Sequence, residues 1–375
     1  MAFVQEFKRA ELSGGAREPV HRDPCLHIRR EVEGPLKGWS PFYQPLPSPR
    51  LVLVPYIGCV SRCQFCFLRS FPGLHRLGTE EMIITVYSNY PEHFRDRLSN
   101  LCLVPPVVLS PFTDPFQPIN DRYGLAEKLT QICVLNNLPL ELVTRYHVPD
   151  EVLAMMEYLP HARVQISVDP LNREGEVPYW LERLDVLERV RRLGINGVLR
   201  LDPIAPVGEQ LFERLEKIVK EAAERDIPHL VTRFLQAPSA LHEQYVQPHE
   251  ECFEAVEERS GWWQVRSAVR HRVLCELAGM CETYGLSLGV LGDSSLQDRF
   301  GSFERPYSDY LPLSYRNSTG ESFRPVEGCQ DDCKRCLDNH CGLKGLVEKP
   351  WRDKRFKDTF WRENGFQRLQ GELLQ

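Results

Sequence analysis

The feature that most constrains the fold is an alternation of short apolar runs with amphipathic segments between residues 51 and 291. The clearest amphipathic segments, Trp180–Leu193, Glu209–Arg225 and Trp262–Tyr284, place apolar residues three and four positions apart, which predicts helices. Gly194 and Gly285 are the expected ends of two of them. The β-rich runs are Leu51–Ile57, Val107–Phe112, Leu140–Thr144, Val164–Val168, Val198–Ile204, His229–Phe234 and Leu286–Leu291. Strands that alternate with helices predict a parallel α/β sheet. This number of units favours a full or partial barrel of (β/α)6 type over an open doubly wound sheet.

The extent of this alternation predicts three domains. Residues 1–50 are rich in Pro, Gly and Arg, which predicts an irregular N-terminal extension, and residues 51–300 predict the partial barrel. After residue 300 the chain becomes polar, so residues 301–375 predict a small C-terminal cysteine-rich domain. In a parallel α/β fold the functional edge lies at the C-terminal ends of the strands, and candidate site residues are expected there.

The composition argues against several classes of protein. A net charge of −6 gives no basic surplus for binding nucleic acid, where phosphate contacts supply much of the affinity. No stretch approaches the ~20 apolar residues that span a bilayer, and the N-terminus lacks the pattern of a signal peptide. We therefore expect a cytoplasmic protein with no membrane partner, in which clustered cysteines are metal ligands rather than disulfides.

The first group of cysteines follows the first predicted strand. Cys59, Cys63 and Cys66 have the spacing C-x3-C-x2-C, and Phe65 directly precedes the last cysteine. Three thiolates can ligate three irons of a [4Fe–4S] cluster and leave the fourth iron open, because complete ligation by cysteine needs four thiolates. Two alternatives stay open on the residues alone: three unrelated cysteines, or a zinc knuckle for which His75 is the nearest additional ligand.

A second group of cysteines stands near the C-terminus. Cys329, Cys333, Cys336 and Cys341 have the spacing C-x3-C-x2-C-x4-C, which supplies enough thiolates for complete ligation. The group predicts either an auxiliary [4Fe–4S] cluster or a structural zinc site, and its single compact run favours the cluster. His340 lies beside the last cysteine and is a candidate to replace one ligand.

The first cysteine group resembles the signature of the radical S-adenosylmethionine (SAM) superfamily. The segments SPFTDPFQP at residues 110–118 and GVLRLDPIAP at residues 197–206, with Arg183 and Leu184 before the latter, resemble the branch of spore photoproduct lyase. The resemblance implies a partial barrel in which the open iron chelates the amino and carboxylate groups of SAM. Reduction of the cluster then cleaves SAM to methionine and a 5′-deoxyadenosyl radical, which abstracts hydrogen from the substrate.

The resemblance also implies which residues contact SAM. By their position after the second strand, Ser110, Thr113 and Asp114 are candidates for contact with the SAM amino group. Candidates for contact with the ribose or carboxylate of SAM are Ser167, Asp169 and Arg200. Weaker candidates, for contact with substrate at the barrel mouth, are Arg145, Tyr146, His147, Arg233, Gln236 and Asp293.

We therefore expect a radical SAM enzyme that removes hydrogen from a small molecule or peptide and receives electrons from a flavodoxin- or ferredoxin-type reductant. The expected cofactors are SAM, the cluster of the first cysteine group, and a second [4Fe–4S] cluster or zinc at the second group. Two rival functions stay open. Nucleic-acid repair or modification of the spore photoproduct lyase type predicts salt-sensitive binding to oligonucleotides. A non-catalytic zinc-binding scaffold predicts a protein without iron.

Overall fold

The structure is a computed structural model that describes part of the chain. The described residues are 25–29, 51–61, 63–66, 83–99, 103–104, 106–110, 113–171, 180–208, 210–256, 260–290, 311–312, 314–315 and 323–325. The predictions for His75, Asp293 and the second cysteine group therefore lie outside the described residues.

The strands and helices are numbered here in chain order. The strands are β1 (Cys25–Arg29), β2 (Leu51–Leu53), β3 (Tyr56–Ile57), β4 (Ile83–Tyr87), β5 (Leu103–Val104), β6 (Val107–Leu109), β7 (Leu140–Thr144), β8 (Ala162–Val168), β9 (Asn196–Ile204), β10 (His229–Phe234), β11 (Gln236–Pro238), β12 (Phe253–Ala255), β13 (Trp262–Val265), β14 (Ser287–Val290), β15 (Ser314–Tyr315) and β16 (Arg324–Pro325). The α-helices are α1 (Tyr90–Ser99), α2 (Ile119–Tyr123), α3 (Leu125–Leu135), α4 (Asp150–Met156), α5 (Trp180–Arg192), α6 (Leu211–Glu224) and α7 (Ser267–Tyr284).

Seven strands form the central sheet, in the order β2-β6-β7-β8-β9-β10-β14, and every adjacent pair is parallel. The order of the strands across the sheet is the same as their order along the chain, so every crossover connection advances in the same direction. Because such connections are right-handed, they place the helices on one face of the sheet. A doubly wound sheet would reverse its order at a switch point. Among the described residues β2 and β14 stand at opposite ends of the order, so the sheet is a partial barrel with seven strands where the predicted type has six.

The predicted β-rich runs are the seven strands of this sheet, which confirms the α/β prediction. Alternate residues of the strands have different surroundings because side chains of a strand point to opposite faces. Leu140, Leu142 and Val164 belong to the main hydrophobic core, whereas the intervening Glu141 and Arg163 are buried and polar. The helices therefore cover an apolar face of the sheet, and the opposite face carries polar groups into the barrel interior.

Two expectations about secondary structure are wrong. Trp262–Val265 is a strand that pairs antiparallel with β11 and β12, and the helix predicted from Trp262 begins at Ser267. Within the N-terminal segment, which was expected to be irregular, residues 25–29 form a strand parallel to β4. Both strands are fixed by partners that lie elsewhere in the chain, which a local pattern does not report.

The helices end where the sequence predicts. Gly194 and Gly285 have φ values of 73° and 77°, a left-handed conformation that glycine adopts readily and that closes α5 and α7. None of the helices in the described ranges is both long and apolar enough to cross a membrane.

Candidate functional site

The cysteine loop begins where the first strand of the central sheet ends. β2 ends at Leu53, and the short β3 pairs with β4 before the chain reaches Cys59. Cys59, Cys63 and Cys66 are partly buried, and the Cys66 N–H donates to the Cys63 carbonyl (3.1 Å). The loop therefore occupies the edge of the sheet at which parallel α/β folds carry their sites.

Burial makes two of the three thiols harder to ionise. Burial raises the pKa of Cys59, and the nearby Asp114 carboxylate raises it further. Burial also raises the pKa of Cys63 to about 12; Arg145 acts in the opposite direction, and the other two cysteines add to the increase. A metal binds the thiolate form of cysteine, so ligation must displace the protons of these two thiols.

The chemistry of the three cysteines is that of an iron–sulfur site. Cysteine thiolates are the usual ligands of a [4Fe–4S] cluster, and three of them would leave one iron without a protein ligand. A zinc knuckle would need a further ligand, and its candidate, His75, lies outside the described residues. Within the described ranges no group of three His, Cys, Asp or Glu side chains stands out as a site for a metal ion.

The segment after β6 holds the cysteine loop in place. Gln117 is wholly buried; its Nε2 donates to the Gly58 carbonyl (3.1 Å), and its Oε1 accepts from the Val60 N–H (3.2 Å). Thr113 Oγ1 donates to the Tyr56 carbonyl (2.8 Å). These bonds fasten the backbone before and after the first cysteine to the neighbouring strand.

Ser110 ends β6 in a left-handed conformation, with φ 55°, which is uncommon for a residue that carries a side chain. Its Oγ lies 3.0 Å from Thr113 Oγ1, and both side chains are buried. The two hydroxyls thus form a pair at the C-terminal end of the second sheet strand. This is the position at which the sequence predicted contact with the SAM amino group.

Asp114 connects this segment to the next strand. Its carboxylate accepts hydrogen bonds from the Phe116 N–H (3.0 Å), from Thr144 Oγ1 (2.6 Å) and from the Arg145 N–H (2.8 Å). Three bonds within the chain leave this carboxylate little remaining capacity for another donor. The contacts therefore give Asp114 a structural task at the end of β7, and its predicted contact with SAM stays a prediction.

Arg145 follows β7 and links the cysteine loop to β8. Its Nη1 donates to Cys63 Sγ, and its Nη2 donates to Asp169 Oδ2 (2.7 Å). The guanidinium carbon lies 5.9 Å from the centre of the Phe65 ring. A second guanidinium, that of Arg183, lies 3.7 Å from the same oxygen of Asp169. A buried cation therefore contacts a cysteine that would hold the cluster.

Asp169 presents one oxygen without a bond to the described part of the chain. Its Oδ1 is buried and accepts no hydrogen bond there, while Oδ2 receives both guanidiniums. A buried acceptor without a donor is costly, so a ligand hydroxyl or amine at this position would be stabilising. Ser167, also predicted for SAM, is partly buried, and its carbonyl accepts from Arg183 Nη1 (3.4 Å).

Arg200 belongs to a polar chain that crosses the barrel interior. Its Nε donates to Asp202 Oδ2 (2.8 Å) and its Nη1 to Gln165 Oε1 (3.1 Å), and Gln165 in turn donates to Glu141. Arg233 Nη2 donates to the other oxygen of Asp202 (3.2 Å). Burial alone would raise the pKa of Asp202, but the Arg233 and Arg200 guanidiniums hold it below its usual value. The carboxylate therefore stays ionised between two cations.

A chain of hydroxyls reaches the first cysteine. Cys59 Sγ donates to Ser61 Oγ (3.3 Å), and Ser61 Oγ donates to the Tyr146 hydroxyl (3.2 Å). Burial raises the pKa of Tyr146 to about 12, so its hydroxyl keeps its proton at neutral pH. The neighbouring His147 instead contacts Arg189 of α5 (3.0 Å).

The structure thus brings together most of the predicted set and separates some of it. Phe65, Thr113, Arg145 and Tyr146 are linked to the cysteine loop by the contacts above, whereas Gln236 is an exposed residue of β11. Two residues with hydrogen bonds at the loop were missed: Gln117, which contacts the loop from the segment after β6, and Ser61, which lies within it. Gln117 lies inside the segment that carries the resemblance, but nothing in the sequence specified that its amide contacts a loop nearly sixty residues earlier.

No family model matches the chain. The radical SAM Nα-GlyT isomerase of Pseudomonas phage M6 is 27% identical over 232 residues, which cover 56% of this chain and 46% of that protein. An uncharacterized protein of Methanocaldococcus jannaschii is 22% identical over 170 residues, which cover 43% of this chain and 62% of that protein. The chain therefore spans less than two thirds of the length of either relative.

Among solved structures, a spore photoproduct lyase variant with bound dinucleoside spore photoproduct has a TM-score of 0.50 at 16% identity. The match covers 71% of this chain and 81% of that one. A second variant of the same lyase has a TM-score of 0.50 at 14% identity and covers 71% and 80%. At this identity the likeness concerns the fold. In sequence the chain is thus similar to a radical SAM isomerase over about half of its length, and in fold it is similar to spore photoproduct lyase.

Proposed function

We propose that the chain is a radical SAM enzyme whose cluster is held by Cys59, Cys63 and Cys66. The observation that carries the proposal is the set of three cysteines at the C-terminal edge of the sheet, one of them contacted by a buried guanidinium, with the buried hydroxyls of Ser110 and Thr113 at the end of the next strand. When bound, the [4Fe–4S] cluster and SAM supply one-electron cleavage of SAM and hydrogen abstraction from a substrate. The chain's own residues bind, orient and shield these groups.

Arg145 is the residue that we assign to the SAM carboxylate. Its guanidinium contacts Cys63 and therefore lies beside the position of the cluster, and a planar fork of N–H donors suits a carboxylate. Asp169 holds the guanidinium in place through Nη2. This role was not predicted from the sequence, which placed Arg145 among the substrate contacts.

The remaining SAM contacts follow from the groups at the neighbouring strand ends. The hydroxyls of Ser110 and Thr113 can accept from the SAM amino group, and Asp169 Oδ1 can accept from a ribose hydroxyl. Ser167 and Arg200 complete the predicted set. The guanidinium of Arg200 already bonds within the chain, so its contact with SAM is the weaker assignment.

The direct experiment is anaerobic purification with iron, sulfide and zinc analysis, followed by reduction with dithionite in the presence of SAM and measurement of 5′-deoxyadenosine. We expect 5′-deoxyadenosine from the wild-type chain and none from Cys66→Ala. A matched control is Cys275→Ala, because Cys275 is exposed on the outer helix α7. Zinc without iron, with SAM left intact, would overturn the proposal in favour of a zinc-binding scaffold.

The same analysis decides the metal at Cys329, Cys333, Cys336 and Cys341. We propose a second [4Fe–4S] cluster there, because four thiolates in one compact run satisfy complete ligation. About eight irons per chain are then expected. About four irons with one zinc would instead make this second group a structural zinc site.

For the substrate we propose a small molecule or a peptide, and for the electron donor a flavodoxin- or ferredoxin-type protein of the cytoplasm. The net charge of −6 supports a substrate other than nucleic acid. Repair or modification of nucleic acid is the competing function. Affinity for a single-stranded or duplex oligonucleotide that falls steeply with salt would support that function, and its absence at low salt would remove it.

A further inference from the structure

The side chains of Ser61 and Tyr146 form a hydrogen-bonded chain that ends on one cysteine of the loop. Tyr146 follows β7 and Ser61 lies in the cysteine loop, so the chain bridges two different elements of the barrel. The two links, Cys59 Sγ to Ser61 Oγ and Ser61 Oγ to the Tyr146 hydroxyl, measure 3.3 and 3.2 Å. Both hydroxyls are partly buried, where water competes less for hydrogen bonds.

The direction of this chain depends on the protonation of the cysteine. With a thiol at Cys59, the proton of the thiol points to Ser61, and the Ser61 proton points to Tyr146. A thiolate can only accept, so ligation of a metal requires both hydroxyls to rotate. Tyr146 then donates to Ser61, and Ser61 donates to the sulfur of Cys59. A hydroxyl rotates at almost no cost, and no heavy atom has to move.

We infer that Ser61 and Tyr146 are positioning residues that set the reduction potential of the cluster through a hydrogen bond to Cys59. The inference rests on the proposed function, since it requires a cluster at this loop. Reduction adds one negative charge that spreads over the iron and sulfur atoms. A hydroxyl proton directed at a ligand sulfur stabilises this charge and makes reduction easier, because hydrogen bonds to the sulfurs tune such clusters.

The two hydrogen bonds act in series, and this distinguishes their effect on the cluster from the effect of other charged groups near the loop. The hydrogen bonds that connect Tyr146 to the sulfur pass through Ser61, where Tyr146 polarises the serine hydroxyl and strengthens its donation. Arg145 acts on a different cysteine, Cys63, by direct contact. Loss of Ser61 should therefore abolish the effect of Tyr146 and leave that of Arg145 unchanged.

The test is a redox titration of the reconstituted full chain, monitored by electron paramagnetic resonance. The signal of the loop's cluster is identified as the one that disappears in Cys66→Ala. We expect Ser61→Ala to shift the midpoint to a more negative potential and to lower the ratio of reduced to oxidised cluster about two- to tenfold at a fixed potential. Tyr146→Phe should give a smaller shift in the same direction.

Three further variants test whether the hydrogen bonds through Ser61 cause the shift in midpoint potential. Ser61→Thr keeps the hydroxyl and should retain the wild-type potential. Tyr158→Phe removes an exposed hydroxyl remote from the loop and should also retain it. The double variant of Ser61→Ala and Tyr146→Phe should match Ser61→Ala alone, because coupled residues are not additive.

A midpoint unchanged in both Ser61→Ala and Tyr146→Phe would overturn the inference. So would a Tyr146→Phe shift that persists undiminished in the Ser61→Ala background. If Ser61→Ala takes up less iron than the wild type, the midpoint potentials of Tyr146→Phe and Tyr158→Phe decide the question, since both changes lie outside the loop. Equal potentials in these two variants would then overturn the inference. Failure of the proposed function is distinct: it would appear in the wild-type chain as a missing cluster or as SAM left intact.

Discussion

Replacement of Gln117 by methionine removes both hydrogen bonds that its amide makes to the cysteine loop while keeping a buried side chain of similar size. The lost bonds are those to the Gly58 carbonyl and from the Val60 N–H, at 3.1 and 3.2 Å. Each is worth about 0.5–1.5 kcal/mol net, so the loop should lose about 1–3 kcal/mol of stability. Because every 1.4 kcal/mol is a factor of ten, the open form of the loop should become about 5- to 150-fold more populated.

The assay is the rate at which the cluster loses iron to a chelator under anaerobic conditions. If iron leaves through local opening of the loop, the rate should rise by the same factor as the open population. Gln264→Met is the matched control, because the Gln264 amide bonds only to Glu254 in the outer sheet among the contacts described for it. Iron release from this variant should equal that of the wild type.

The reasoning would be refuted if Gln117→Met released iron at the wild-type rate while its far-ultraviolet circular dichroism and unfolding midpoint stayed normal. That result would mean that the two bonds do not limit opening of the loop. A large loss of global stability would instead assign the residue to the barrel core. Measuring both the iron release and the unfolding midpoint therefore separates a local from a global role.

Three further predictions concern the barrel and its cofactor. Asp202→Asn should cost about 3 kcal/mol at pH 7, because it leaves the buried Arg200 and the partly buried Arg233 without their carboxylate. The folded pKa of Asp202 is depressed, so its contribution is present above the unfolded pKa of about 3.9 and is lost as the pH falls through the folded pKa. Urea titrations should therefore show the deficit shrinking below pH ~4, and a pH-independent deficit would contradict this account. Gly197→Ala should destabilise by about 1–3 kcal/mol, because a Cβ there would meet Leu187 at 3.3 Å. In Gly279→Ala on helix α7, the added Cβ would meet nothing within 4 Å, so this change should stabilise the protein by about 0.5–1 kcal/mol. Equal urea midpoints for the two glycine variants would contradict both predictions. Arg145→Lys should weaken SAM binding in equilibrium dialysis, because a point charge lacks the fork that contacts two partners, and unchanged binding would remove Arg145 from the site.

The order of the strands was accessible from the sequence because each strand is buried on both faces. A continuous apolar run such as that of β6 stands out between segments of helical periodicity, and glycines mark the ends of two helices. The strand Trp262–Val265 was missed because its residues are only partly buried on average and continue into a true helix. Its register is set by β11 and β12, which precede it in the chain.

The candidate site was accessible where the chemistry is local in sequence. Three cysteines within one loop are evident from their spacing, and the segment after β6 is predicted to contact SAM. The hydrogen bonds of the residues in that segment were not accessible, because they depend on partners elsewhere in the fold. Asp114 accepts from Thr144, and Gln117 donates to the Gly58 carbonyl, and no local pattern in the sequence reports either bond.

In the proposed SAM site, Ser110 places stability and cofactor binding in opposition. Its left-handed backbone costs a residue with a side chain about 1–2 kcal/mol that glycine would avoid. Its hydroxyl nevertheless forms the pair with Thr113 at the edge of the sheet. Selection for thermal resistance alone would favour glycine at this position and would remove half of that pair. Variants evolved only for heat tolerance are therefore expected to become sturdier and poorer at holding SAM through this one substitution.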